Sequence, residues 1–193
     1  MPPASASLGR VVPNRANPDS PAVLQFTSGT TGSKYTPQTI IFNTKTPLPI
    51  APKGVVLLHA SLRNEMEGYT KIWKVDSEIV LQQSAFSFDF SMDQMFSALS
   101  TGSQLYVVPK EKRGDPTKIA KIVLTGGITY TKATPSEYSS WIRYGGADLI
   151  KATSWKKAFA VGESLTDNQR QAFRGLNLPE LKLNNCTWFN TDQ

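Results

Sequence analysis

Residues 105–131 read LYVVPKEKRGDPTKIAKIVLTGGITYT, and the order of signals in this stretch decides the fold class. Leu105–Val108 is a short apolar run that predicts a strand. Asp115 followed by Pro116 supplies an N-cap with proline in the first turn. The helix they open runs to about Leu124 and stops at Gly126-Gly127. Ile128–Thr131 predicts the next strand.

The same rhythm continues on both sides. Val55–Leu58 reads as a strand, Ala60 to Trp73 as an amphipathic helix, Ile79–Leu81 as a strand and Met92–Leu99 as a helix. Ser136–Tyr144 reads as a helix, Ala158–Val161 as a strand, Thr166 to Phe173 as a polar-faced helix and Leu181–Leu183 as a last short strand. Such alternation marks the α/β class, with a mainly parallel sheet flanked by helices that binds its ligands at the carboxyl ends of the strands. Two stretches fall outside the rhythm. The first twenty residues, rich in Pro, Ala, Ser and Asn, read as a loose, disordered tail. Lys34–Ala51 carries three prolines and neither a helical nor a strand period.

Composition narrows the function classes. The 193 residues match one ordinary domain, with 39% hydrophobic residues to build a core. The charge of +6 is scattered rather than clustered, which argues for solubility and against a nucleic-acid face. The single cysteine, Cys186, forms no internal disulfide and fits a reducing, cytoplasmic setting. No apolar run approaches the ~20 residues that cross a bilayer, so no membrane association is expected. His59 is the only histidine, which leaves no set for a metal centre or a Ser–His–Asp triad. The four tryptophans and Cys186 read as packing residues.

Ala22–Phe26 is an apolar run that ends at Thr27-Ser28-Gly29-Thr30-Thr31-Gly32. Two glycines let backbone N–H groups approach an anion, and four hydroxyls add donors for phosphate oxygens. The Walker loop does not fit, because Gly29 to Gly32 is too short and Lys34 precedes a tyrosine. The dinucleotide fingerprint is absent as well. On composition alone the hexapeptide also fits a flexible linker. Downstream, Phe88-Asp89-Phe90-Ser91 sits before a helix, and Ser91 with Gln94 has the spacing of a capping box.

Phe26 to Ser33, taken with Pro52-Lys53-Gly54-Val55, resembles the phosphate loop of adenylate-forming enzymes. The stretches LRNEMEGYTKIW, QQSAFSFDFSMDQMFSAL, KATPSEYSSWIRYG and VGESLTDNQRQAF extend the likeness to the adenylation (AMP-binding) domain of fungal non-ribosomal peptide synthetases, and in particular of polyketide–peptide hybrid synthetases. The resemblance implies part of the N-terminal subdomain of such an enzyme over residues 21–193. It implies that MgATP and an amino acid give an aminoacyl adenylate and pyrophosphate, the aminoacyl group passing to phosphopantetheine on a carrier-protein domain. In this reading Thr27, Ser28, Gly29, Thr30, Thr31 and Gly32 hold the phosphates, and Lys53 is the catalytic cation. Gly162 and Glu163 match a turn beside the nucleotide, with Val161 in place of the family's first glycine. Asp89 pairs with the substrate's α-ammonium. Phe90, Asp93, Lys132, Phe159 and Val161 fall near the side-chain pocket.

Two departures from the family bear on activity. The family runs straight from the loop to Pro-Lys-Gly, whereas here residues 34–51 separate Ser33 from Pro52. A long surface insert costs little closure entropy, but it divides the phosphate loop from its lysine. Residues 184–193 leave the family pattern, and with it the expected adenine wall, ribose contact and mobile lid. The chain alone is therefore expected to be an inactive fragment, the rival readings being a non-catalytic remnant, a mis-spliced gene model or a nucleotide-binding module. The insert reads as a translated intron. Sequencing the mature transcript is expected to show a message lacking these codons; a message that keeps them throughout would refute that origin.

Overall fold

A computed structural model describes residues 15–27, 39–40 and 53–186. Ser28, Gly29, Thr30, Thr31 and Gly32, residues 1–14, most of the 34–51 insert and residues 187–193 lie outside the described residues. The chain divides after Asn64 into two compact units.

In the first unit, β1 (Pro21–Thr27) and β3 (Lys53–Leu58) pair antiparallel, and β2 (Thr39–Ile40) lies on the other side of β3. The register runs from Pro21 opposite Leu58 to Thr27 opposite Lys53. Against the expectation of no strand in the insert, Thr39 and Ile40 pair with Val55 and Gly54. A β-branched pair beside the open edge of β3 gives backbone groups there their partners. Ahead of β1, Asn17 Oδ1 accepts from the Asp19 N–H at 3.0 Å. The carbonyls of Ser20 and Pro18 accept from the His59 and Ala60 N–H groups at 3.1 and 2.8 Å. Main chain from residues read as tail thus satisfies the first donors of α1 (His59–Trp73).

The second unit, which takes in α1 from Glu65 onward, is built on a parallel sheet in the order β5-β4-β6-β7-β8. Its strands are β4 (Ile79–Gln82), β5 (Gln104–Val107), β6 (Tyr130–Ala133), β7 (Lys157–Val161) and β8 (Lys182–Cys186). Between them run α2 (Asp89–Leu99), α3 (Pro116–Thr125), α4 (Pro135–Leu149) and α5 (Asp167–Gly175). Side chains alternate across a strand. Val80, Tyr130, Phe159 and Val161 therefore pack with Val75, Phe90, Ala98, Tyr69 and Trp73 on one face. On the other, Leu81, Ala133, Ala158 and Ala160 pack with Ile119, Tyr138, Trp141 and Phe173. This is the α/β class that the alternation implies.

Several sequence signals take the expected form. The Asp115 carboxylate accepts from the Thr117 and Lys118 N–H groups at 3.0 and 3.2 Å, capping α3. Trp141 and Trp155 are buried packing residues, and the indole N–H of Trp155 donates to Thr131 Oγ1 at 3.0 Å.

Four expectations need correction. The strand expected over 128–131 is β6, two residues later. Gly127 (φ +60°) turns the chain, and the Ile128 N–H folds back onto the Val123 carbonyl at 3.2 Å, which delays the ladder. The helix expected to end at Tyr144 continues through Gly145 and Gly146 to Leu149. A Cβ at Gly145 would stand 2.2 Å from the Ala120 Cβ, so α3 and α4 approach too closely here for a side chain. The capping box of Ser91 and Gln94 does not form. Asp89 already begins α2, the Ser91 hydroxyl donates back to the Phe88 carbonyl at 2.7 Å, and Gln94 turns inward. Finally, the last strand, expected over Leu181–Leu183, continues through Asn184–Cys186 as β8, paired along Phe159–Val161.

Gly145→Ala is expected to destabilise the second unit by about 2 kcal/mol through overpacking, read as a lowered urea midpoint. An unchanged midpoint would mean that α3 and α4 separate freely.

Candidate functional site

The parallel strands bring their carboxyl ends together, and the sequence places most candidate residues there. β6 supplies Lys132, β7 supplies Phe159 and Val161, and the first turns of α2 supply Asp89, Phe90 and Asp93. Phe90, Asp93, Lys132, Phe159 and Val161 converge in one buried cluster, each less than a tenth exposed. Asp89 is half-buried at its rim, with its carboxylate accepting from the Phe90 N–H at 2.8 Å.

At the centre, the Lys132 ammonium forms an ion pair with the Asp93 carboxylate. Two aromatic faces complete its surroundings, with the Tyr69 centroid at 5.1 Å and the Phe90 centroid at 5.7 Å. Behind them the Tyr69 and Tyr130 hydroxyls share a 2.6 Å hydrogen bond. The Phe159 ring packs against Tyr69, Trp73 and Tyr130 at centroid distances of 5.4, 5.3 and 5.0 Å.

The main chain under this cluster is held by buried amides. The Lys132 carbonyl accepts from Gln83 Nε2 at 2.9 Å and from Gln94 Nε2 at 2.8 Å. Gln94 also donates to Gln83 Oε1 and Ser84 Oγ. Arg113 donates to Gln82 Oε1 at 2.9 Å and stacks over Phe86, which fastens the loop leading into Asp89. Satisfied buried networks of this kind fix one geometry.

Electrostatics follow from burial. Burial pushes the Asp93 carboxyl above its usual range against the opposing pull of Lys132, and Asp89 adds repulsion. Burial likewise raises Glu65 on α1, helped by Asp93 and Asp89 and opposed by Lys132. Burial also raises the Cys186 thiol at the end of β8.

The turn after β7 is defined by Gly162 and Glu163. Gly162 has φ +86°, and a Cβ there would meet the Phe90 ring at 3.3 Å. The Glu163 carboxylate accepts from the Ser136 N–H at 3.1 Å and from the Ser136 hydroxyl, tying this turn to the start of α4.

Of the remaining candidates, Thr27 and Lys53 are cross-strand partners in the first unit. Ser28, Gly29, Thr30, Thr31 and Gly32, which follow Thr27, lie outside the described residues. Sequence reading missed Glu65, Tyr69, Tyr130, Gln83 and Gln94. The i, i+4 spacing of Glu65 and Tyr69 was a usable signal for one helix face; the glutamines gave none. Among the described residues there is no cluster of His, Cys, Asp and Glu fit to hold a metal ion, and no helix long and apolar enough to cross a membrane.

A family model described as AMP-binding enzyme matches residues 51–183. The hybrid PKS-NRPS synthetase thnA of Trichoderma harzianum is 48% identical over 170 residues, covering 88% of this chain and 4% of that protein. The hybrid PKS-NRPS synthetase traA of Penicillium crustosum is 45% identical over 174 residues, covering 90% and 4%. The chain thus spans about one twenty-fifth of the length of these curated relatives. Among solved structures, the non-ribosomal peptide synthetase FmoA3 in an AMPPNP-bound form aligns with TM-score 0.71 at 21% identity, over 89% of this chain and 16% of that one. The Vibrio cholerae adenylation domain AlmE, in complex with glycyl-adenosine-5'-phosphate, aligns with TM-score 0.70 at 20% identity, over 90% and 29%. These two likenesses are of fold.

A carboxyl raised in the folded state stabilises that state most at low pH and loses the effect as pH rises through its folded value. Glu65 and Asp93 both behave so. The stability of the second unit is therefore expected to fall as pH rises from about 4 toward neutrality. Glu65→Gln is expected to make that fall shallower and to raise the melting midpoint at pH 7. An unaltered pH profile in thermal melts would show that Glu65 carries none of it.

Proposed function

Because the chain belongs to the AMP-binding enzyme family, we propose that it is a piece of an amino-acid-activating domain from a synthetase of secondary metabolism. Its reaction class is carboxylate plus ATP to acyl adenylate plus pyrophosphate. A carboxylate oxygen of the amino acid bonds to the α-phosphorus, and the bond to the pyrophosphate leaving group breaks. What supports this most directly is the register that pairs Thr27 with Lys53. It sets the backbone of Thr27, where the hydroxyl-rich hexapeptide begins in sequence, opposite that of Lys53, the lysine that follows the insert.

In this reading Thr27 and Ser28 to Gly32 hold the phosphates of MgATP, with Lys53 compensating charge as it moves to the leaving group. Gly162 and Glu163 form the turn that borders the nucleotide. Asp89 takes the substrate's α-ammonium as a charge-assisted pair. Phe90, Asp93, Lys132, Phe159 and Val161 bound the space for the amino-acid side chain. The activated aminoacyl group would pass to the phosphopantetheine thiol of a carrier domain, and the setting would be cytoplasmic.

The insert limits what the isolated chain does. Displacements of ~1 Å in a reacting group cost ~100-fold in rate, and 18 extra residues separate Ser33 from Pro52. The purified chain is expected to show MgATP binding by calorimetry, weakened about tenfold in Lys53→Ala by loss of a charge-assisted contact. Its amino-acid-dependent ATP–pyrophosphate exchange is expected to stay at the level of a heat-killed control. Absence of any MgATP binding would overturn the functional reading, and exchange above the control would overturn the inactivity.

A further inference from the structure

Lys132 presents an unusual arrangement for a buried lysine. Its backbone is fixed, because its carbonyl accepts from two buried glutamine amides, Gln83 and Gln94. Its side chain leaves β6 on the face that carries Tyr130 and ends against three groups that each recognise a cation. These are the Asp93 carboxylate, the Tyr69 ring at 5.1 Å and the Phe90 ring at 5.7 Å. The charge of Asp89 on α2 acts on Asp93, and Glu65 on α1 feels Asp93 and Lys132 in opposite senses. Cys186 on β8 and Tyr130 on β6 complete the titratable groups facing the pair. One ammonium thus stands against one carboxylate and two aromatic faces.

Burying an ion pair costs desolvation of both partners, and an apolar residue of similar volume would commonly serve stability as well. The retained chemistry is that of a receptor for R–NH3+, where a carboxylate and aromatic faces act together on a desolvated cation. We propose that Lys132 is an internal ligand: its ammonium occupies a box for a primary alkylammonium group, made by Asp93, Tyr69 and Phe90, that accepts a free alkylammonium ion once the lysine is shortened.

The box stands on contacts within the second unit and needs no nucleotide. Inside the amino-acid site proposed above, on whose reading this one consequence depends, the occupied box leaves no place for a second cation. Substrate side chains that end in an ammonium are then refused while Lys132 is present.

Chemical complementation tests the proposal. Lys132→Ala removes three methylenes and the ammonium, the outline of n-propylammonium. In the full chain carrying this substitution, n-propylammonium at about ten times its dissociation constant is expected to raise the melting midpoint by about 3 °C relative to sodium chloride of equal ionic strength. Wild type and Lys132→Met, whose boxes are filled, are expected not to respond. 1-Propanol, of the same outline without the charge, is expected to have no effect. The response is expected to vanish in the double variant Lys132→Ala, Asp93→Asn.

An equal rise with 1-propanol would reduce the site to an apolar cavity and overturn the proposal, as would a response that survives loss of the Asp93 charge. Should Lys132→Ala fail to fold unaided, refolding yield with and without n-propylammonium becomes the readout, and no gain in yield overturns it. Neither ATP nor an amino acid enters the experiment, so its failure and the failure of the adenylation reading are separate results.

Discussion

An ammonium taken out of water must be met by a counter-charge, and at the carboxyl ends of this sheet that demand falls on Lys132. Asp93 meets it from α2, which fixes the rotation of that helix over the strands. Gln94, the next residue, binds the Lys132 carbonyl and so locks helix to strand from the main-chain side. Phe90, one turn earlier on α2, places its ring over the same ammonium and beneath Gly162, where a side chain would not fit without displacing it. Charge, main chain and ring packing therefore meet at one lysine. A change at any of them is felt by the others, as neighbours sharing a network are not additive.

The first unit shows a different economy. Strands that keep register from Val23–Leu57 to Thr27–Lys53, after a shift at Pro21, tolerate a long insertion between them in sequence, because strand pairing is set by the strands. The closure entropy of a loop grows only slowly with its length. The insert separates Thr27 from Lys53 along the chain while their backbones stay opposite each other.

Much of the fold was legible in the sequence because its signals are local. Asp115-Pro116 predicted the start of α3, and Gly126-Gly127 its end, since capping and positive φ are decided within a few residues. Where local signals failed, long-range packing had the larger stake. Gly145-Gly146 reads as a break, yet α4 passes through it because α3 closes onto the bare backbone there. Ser91 and Gln94 match a capping box by spacing, yet Gln94 is drawn inward by three partners on other segments. The candidate side-chain residues were found by motif likeness; that Tyr69 and Glu65 join them from α1 required the fold.

By itself, then, the sequence determined the α/β class, the order of its elements and its likeness to the AMP-binding family, because period, caps and motif spacing are properties of contiguous residues. Tertiary structure alone decided that Asp93 and Lys132, 39 residues apart, neutralise each other, that Thr27 faces Lys53, and that two glutamines hold the strand beneath. Those pairings arise from sheet register and helix rotation, which no local stretch of chain encodes.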